Sequence, residues 1–153
     1  MVNYQNVAEM IVSPASEKEM PVIIHLAKKF DLDCEDLSWK QFVAAKNNET
    51  LIGFGRLREY PECAEVATVG VIREERKCGV GSLLVKELIR LGPSDIFVVC
   101  VIPDFFHKLG FKIVKQYPSV LQKKVDFCKL YDFSDEQIFV MKFVKNETEK
   151  RGL

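Results

Sequence analysis

This sequence predicts a domain of mixed α/β class, and three stretches carry the prediction. Ile96–Val101 is a continuous apolar run of the kind buried inside a sheet. Gly79–Leu91 places Val80, Leu83, Leu84, Leu88 and Leu91 on one helical stripe, with Lys86, Glu87 and Arg90 elsewhere. A Val-rich strand, Ala64–Ile72, precedes that helix, so one helix lies between two central strands.

The other elements follow in chain order. Glu9–Pro14 reads as a short opening strand. A helix is expected from Ser16 or Glu19 to Phe30, because Ser16 and Glu19 form a capping-box pair and Pro21 is tolerated near a helix start. Met20, Ile23, Ile24 and Ala27 then recur at helical spacing, and Asp31–Ser38 is acidic and irregular. Trp39–Ala45 and Leu51–Arg58 pair as a hairpin around Asn47-Asn48-Glu49. Gly92-Pro93 stops the long helix. Asp104–Leu109 is a short helix closed by Gly110, Phe111–Val114 opens another strand, and Ser119–Phe127 reads as a further short helix. Gln137–Val144 is a last strand, and the charged tail after Lys145 is expected to fray.

Composition narrows the function. A length of 153 residues fits one domain, 1–153, with a real core, and 48% apolar residues exclude a disordered chain. Lys plus Arg equals Asp plus Glu, 22 against 22, so the basic surplus of a nucleic-acid binder is missing. The five cysteines, Cys34, Cys63, Cys78, Cys100 and Cys128, are irregularly spaced without a C-x-x-C pair. Neither a disulfide framework nor a metal site is expected from them. Met1–Asn6 has no positive, apolar leader, and no run approaches the ~18 apolar residues of a membrane span. The expectation is a soluble, cytoplasmic protein with no membrane partner, in which the sequons at Asn48 and Asn146 carry no meaning.

The loop between Ala64–Ile72 and the long helix reads Arg76-Lys77-Cys78-Gly79-Val80-Gly81-Ser82. A helix N-terminus offers unpaired backbone N–H groups and the positive end of the dipole, and glycines let a phosphate approach closely. A pyrophosphate is the natural guest. A P-loop would need Gly-Lys-Ser/Thr at its end, and a dinucleotide fingerprint would need a third glycine near Leu84; both fail on residues. On the loop alone, the alternative is that Gly79 and Gly81 only close a tight strand–helix turn.

The flanks add a resemblance. Val69-Gly70-Val71-Ile72-Arg73-Glu74-Glu75-Arg76-Lys77-Cys78-Gly79-Val80-Gly81 resembles the pattern V-x-V-x-P-x-x-R-G-x-G-[IV]-G of the GNAT acetyltransferases. Phe105-Phe106-His107-Lys108-Leu109-Gly110-Phe111 resembles that family's second signature, F-Y-x-K-L-G-F. The resemblance runs from about Val12 to Val144, with Arg73 in place of the usual proline and Lys77 in place of the usual glycine. It implies the GNAT fold: one central mixed, mostly antiparallel sheet of about six to seven strands, flanked by helices and splayed near Ala64–Ile72 and Ile96–Val101 to admit CoA. It also implies acetyl-CoA as cosubstrate. The backbone at Val69 and Val71 would hold the pantetheine arm, and Arg76, Lys77, Cys78, Gly79, Val80, Gly81 and Ser82 the pyrophosphate, with Phe106 beside the pantetheine. A homodimer is common in the family.

Acetyl transfer needs a neutral amine, and a lysine-like amine of pKa about 10.4 is neutral in roughly one molecule in 2,500 at pH 7. A carboxylate acting through water raises that fraction at the moment of attack. Glu65 is the candidate base: GNAT enzymes that use a glutamate commonly place it on this strand, and a charge inside a Val-rich strand is costly unless paired or functional. The alternative is that Glu65 points to solvent. The resemblance places the oxyanion donor at a backbone N–H near Val71. The family's acid tyrosine is Phe106 here, which leaves Tyr117, Tyr131 or no acid at all for the leaving thiolate. His25 and His107 read as structural or surface residues, and Cys100 as a small buried one.

The expected acceptor is a small-molecule amine. Pro118, Leu121, Lys124 and Cys128 resemble the arrangement in amino-acid N-acetyltransferases of the N-acetylglutamate synthase type, which makes glutamate a first acceptor. Arg56 and Arg58 would clamp its carboxylate, or they are solvated strand ends. The alternatives are a protein amine, a polyamine drawn to the acidic cluster Asp31, Asp33, Glu35 and Asp36, or an acyl-CoA sensor that transfers nothing.

Overall fold

Side-chain alternation and helical periodicity resolve into seven strands and four helices over residues 10–145, the part of the chain that the computed structural model describes. The charged tail after Lys145, the sequon at Asn146 and the first residue expected in the opening strand, Glu9, lie outside the described residues. Strand β1 is Met10–Pro14 and helix α1 is Met20–Lys29. The capping box forms as expected, with the Ser16 N–H donating to Glu19 Oε1 at 2.7 Å, and the Glu19 N–H also closes a main-chain turn on Ser16 O at 3.1 Å. It caps a single 3-10 turn, Glu17–Glu19, ahead of the helix proper. Strand β2 is Phe42–Asn47 and β3 is Thr50–Glu59. Trp39 belongs to a 3-10 turn capped by Ser38, so β2 starts later than the sequence predicts. Asn48 and Glu49 both take positive φ, 51° and 68°, which gives a two-residue hairpin the twist its strands require.

Strand β4 is Ala64–Val71, α2 is Val80–Leu91 and β5 is Asp95–Cys100. Helix α3 (Pro103–Lys108), strand β6 (Lys112–Ile113), helix α4 (Gln122–Lys129) and strand β7 (Phe139–Val144) complete the chain. The sheet order is β1-β2-β3-β4-β5-β7-β6, and the β4–β5 pair is parallel while β1–β2, β2–β3, β5–β7 and β6–β7 are antiparallel. The fold is therefore mixed α/β with a mostly antiparallel sheet flanked by helices. The parallel register joins Ala64, Glu65 and Val66 to Ile96, Phe97 and Val98. Among the described residues no helix is long and apolar enough to cross a membrane.

The described residues form two compact units, one running to Arg56 and resuming over Thr68–Leu88, the other made of Leu57–Ala67 and the chain from Ile89. In the first, the apolar face of α1 (Met20, Ile23, Ala27) packs with Ala15, Phe42, Ala44 and Phe54. In the second, Phe97 and Val99 of β5 pack with Val140 of β7 and with Leu121 and Val125 at α4.

Candidate active site

In the first unit the candidate phosphate loop takes the shape its residue types permit. Gly79 has φ +84°, and a Cβ built there would meet nothing within 4 Å. Lys77 has φ +68°, so it holds the left-handed conformation that the family's glycine would adopt more cheaply. Left-handed residues alternating with ordinary ones turn successive N–H groups into one concavity, a nest for an anion. The first helical bond of α2 is Leu83 N–H to Gly79 O at 3.1 Å, which leaves the N–H groups just before Leu83 without intrahelical acceptors. Arg76 is exposed, and its side chain folds back along the surface: Nε donates to Val71 O at 2.9 Å and the guanidinium lies 4.8 Å from the centre of the Phe30 ring. Arg76 thus ties the loop to the end of β4. The Lys77 and Cys78 side chains are exposed, and Gly81 and Ser82 are half-buried in the first turn of α2.

Thr68 has φ +53°, an outlier for a β-branched residue. Its hydroxyl donates to Asp33 O at 2.8 Å and accepts from Arg56 Nε at 2.8 Å. Arg56 is fully buried, 0% exposed, and its guanidinium also donates to Glu35 O at 2.9 Å and Gln41 Oε1 at 3.1 Å, with Asp33 Oδ2 at 3.6 Å. Both readings of Arg56 from sequence, a substrate clamp and a solvated strand end, thus meet a buried guanidinium already engaged inside the protein. The chain folds this way because Arg56 lies between Gly55 and Leu57 on an otherwise apolar strand, and only an acceptor-rich segment satisfies its donors. Asp33, one of the four acidic residues considered for a polyamine, is buried in the same cluster.

In the second unit Glu65 is 1% exposed, so its solvent-facing alternative does not hold. The Tyr60 hydroxyl donates to Glu65 Oε1 at 3.0 Å, and Lys124 Nζ of α4 lies 3.5 Å from Oε2. That Oε2 is buried and accepts no hydrogen bond from the described residues. Glu65 shares its face of the sheet with Cys63, whose thiol is pushed up to about 11 by burial and by the charges of Glu65 and Glu62. An open hollow of about 380 Å³ is lined by Glu59, Tyr60, Glu62, Cys63 and Asp95, among others. Arg58 is half-buried, its guanidinium 5.2 Å from the centre of the Tyr60 ring.

Phe106 is buried, edge-on to Phe105 at 5.0 Å and to Phe111 at 5.5 Å, within an aromatic chain that reaches Phe143. Cys100 is buried, and its thiol is raised to about 11 mainly by that burial. His25 and His107 are exposed. Of the two candidate acids, Tyr117 donates to Gln122 Oε1 at 3.0 Å and Tyr131 packs on Phe127. Sequence reasoning missed Thr68, Tyr60 and Lys124 as partners of the two buried charges. Burial predicted from the apolar surroundings of Arg56, by the logic already applied to Glu65, was the signal available for the first of them.

The model of the Acetyltransferase (GNAT) family matches residues 8–111 of this chain. None of the curated proteins matches it. Among solved structures, N-acetylglutamate synthase from Neisseria gonorrhoeae, complexed with coenzyme A and N-acetyl-glutamate, superimposes with a TM-score of 0.71 at 15% identity. That match covers 90% of this chain and 35% of the synthase, so the chain spans about a third of that relative's length. Rv2747 from Mycobacterium tuberculosis, in complex with CoA, gives 0.69 at 20% identity over 89% of this chain and 99% of that one. The PaiA N-acetyltransferase from Thermoplasma acidophilum, in complex with coenzyme A, gives 0.60 at 16% over 89% and 99%. At these identities the likeness is one of fold.

Proposed function

The chain belongs to the GNAT acetyltransferase family, and from that premise we propose that it moves an acetyl group from acetyl-CoA to the amine of a small molecule, an amino acid such as glutamate being the first acceptor to try. The observation that carries the reading is the loop before α2. Gly79 faces open space, two left-handed residues turn the backbone into a nest, and a helix of 12 residues starts there. The chemistry of that donor set fits a pyrophosphate. Backbone N–H groups from Lys77 to Ser82 would hold it, and the β4 backbone at Val69 and Val71 would take the pantetheine arm.

When bound, acetyl-CoA supplies the activated acyl group. Glu65 takes the amine's surplus proton, directly or through one water, at Oε2, which accepts no hydrogen bond from the described residues and has Lys124 Nζ 3.5 Å away. A backbone N–H near Val71 stabilises the oxygen on which charge develops. The glutamate choice draws on the synthase bound to N-acetyl-glutamate, whose match covers most of this chain. A polyamine acceptor is disfavoured, since Asp33 is committed to Arg56.

Thiol release from acetyl-CoA, run with amino acids, polyamines and a lysine peptide, tests the reading alongside calorimetric binding of acetyl-CoA. Release dependent on one acceptor supports it and names the class. Binding without release from any acceptor moves the chain to the sensor alternative. Unchanged acetyl-CoA binding by Gly81→Trp would remove the phosphate-loop assignment.

A further inference from the structure

A base that is 1% exposed must pass on each proton it captures before the next turnover, and three polar groups adjoin Glu65. We propose that Tyr60 is the positioning and relay residue that aims the Glu65 carboxylate and carries its captured proton to the hollow beside it. This rests on the reading of Glu65 as the base.

The other two neighbours are excluded by their chemistry. Lys124 Nζ, 3.5 Å from Oε2, is an ammonium with donors and no lone pair, so it can hold a carboxylate in place but cannot receive a proton and hand it on. Cys63 lines the same hollow, but its thiol is only a weak donor and acceptor and no hydrogen bond joins it to the Glu65 carboxylate. A phenol both donates and accepts. Tyr60 alone of the three has that property, a 3.0 Å bond to Glu65 Oε1 and a place in the lining of the open hollow.

The proton inventory closes. Glu65 Oε2 takes one proton from the amine, and a half-turn of the carboxyl group brings that proton to face Tyr60. The Tyr60 hydroxyl swings its own hydrogen towards water in the hollow, and its oxygen accepts the carboxyl proton as that hydrogen leaves to the water. Glu65 is again a carboxylate, Tyr60 again a neutral phenol, and one proton has reached solvent. At rest Tyr60 donates to Oε1 and Lys124 Nζ lies 3.5 Å from Oε2, so the same hydroxyl also fixes the orientation of the carboxylate.

The test uses thiol release from acetyl-CoA with the fastest acceptor of the amine panel, in the parent protein, Tyr60→Phe and Glu65→Gln. Imidazole is raised at constant pH and ionic strength. Phenylalanine keeps the ring that packs with the Phe97–Val99 cluster and under Arg58, so the fold is retained. Tyr60→Phe should lower kcat about tenfold at unchanged KM for acetyl-CoA, a fraction of what a general base contributes. Imidazole, a small base that titrates near neutrality, should restore it by taking the proton from the hollow side. A kcat for Tyr60→Phe equal to the parent's, or a reduced one indifferent to imidazole, overturns the relay and leaves the base assignment standing where Glu65→Gln is inactive. Undiminished kcat in Glu65→Gln overturns both.

Discussion

Arg56 of β3 and Glu65 of β4 are both sealed from solvent, at 0% and 1% exposure, and the protein treats the two charges differently. Arg56 is saturated: Thr68, Glu35, Gln41 and Asp33 all accept from it or pair with it. Glu65 is held at one oxygen by Tyr60 and leaves the other with an ammonium at 3.5 Å and no hydrogen bond from the described residues. A buried polar atom left short of a partner is an exception that asks for a cause, whereas a saturated one is accounted for by structure alone. Under the proposed function, the first cluster serves stability and the second chemistry.

Substituting each charge breaks or upholds that division. Arg56→Met removes the ion-pair partner of the buried Asp33 carboxylate and the donor to Thr68 Oγ1, Glu35 O and Gln41 Oε1. It should cost about 3–5 kcal/mol, read from urea denaturation midpoints, as removing one partner of a buried ion pair does. Glu65→Gln keeps an acceptor for Tyr60 and should shift stability by only about 1 kcal/mol. Its kcat should fall by roughly 10²-fold. A large stability loss at Glu65 with activity preserved would reverse the two roles.

The elements were legible in the sequence because each is set by local pattern: the helix from Val80 to Leu91, the apolar run at Ile96, the Ser16–Glu19 box. The helical stripe itself differs from the expected one, since Leu83 and Leu91 are exposed while Val85 and Ile89 are buried. The shape of the loop before α2 was legible from local pattern too, since its glycines and its helix are contiguous. The position of β7 between β5 and β6 was not, because a sheet order is fixed by pairing between residues far apart in the chain, such as Val98 with Met141. Glu65 was singled out as a charge among valines, but Lys124 reaches it from a helix remote in sequence, and no periodicity announces that contact. Thr68 hides a further feature: threonine is a good strand residue, and its left-handed φ depends on Asp33 and Arg56.

Thr68 and Lys77 sharpen the comparison within the first unit, since both are non-glycine residues in left-handed backbone, with φ of 53° and 68°. The strain at Thr68 is offset by two side-chain hydrogen bonds of 2.8 Å, while the Lys77 side chain is exposed. Lys77→Gly should therefore stabilise the protein by about 1 kcal/mol in thermal melts, with acetyl-CoA binding intact. Thr68→Gly should destabilise it in spite of the relieved strain. The exposed Cys78 gives a companion readout in the same loop: a thiol reagent should label it far faster than Cys63 or Cys100, both raised to about 11 chiefly by burial, and acetyl-CoA should slow that labelling. Unslowed labelling in the presence of bound acetyl-CoA would separate the loop from the ligand.

The smallest effect expected is at the surface counterpart of these clusters, the pair of Glu19 with Lys46 at 3.1 Å. Burial alone would raise the Glu19 pKa, but the Ser16 N–H and the Lys46 ammonium outweigh it and hold the carboxyl below its ordinary 4.5. A carboxyl depressed in the folded state contributes stability that is complete above its unfolded value and is lost as pH falls through the lowered one. Glu19→Gln should thus cost about 0.5 kcal/mol at neutral pH, in the range of exposed pairs. The difference from the parent protein should shrink as pH drops through 4.5 and vanish well below it. A cost that persists unchanged into acid, where both side chains are neutral, would mean that the charge of Glu19 and its pairing with Lys46 add nothing.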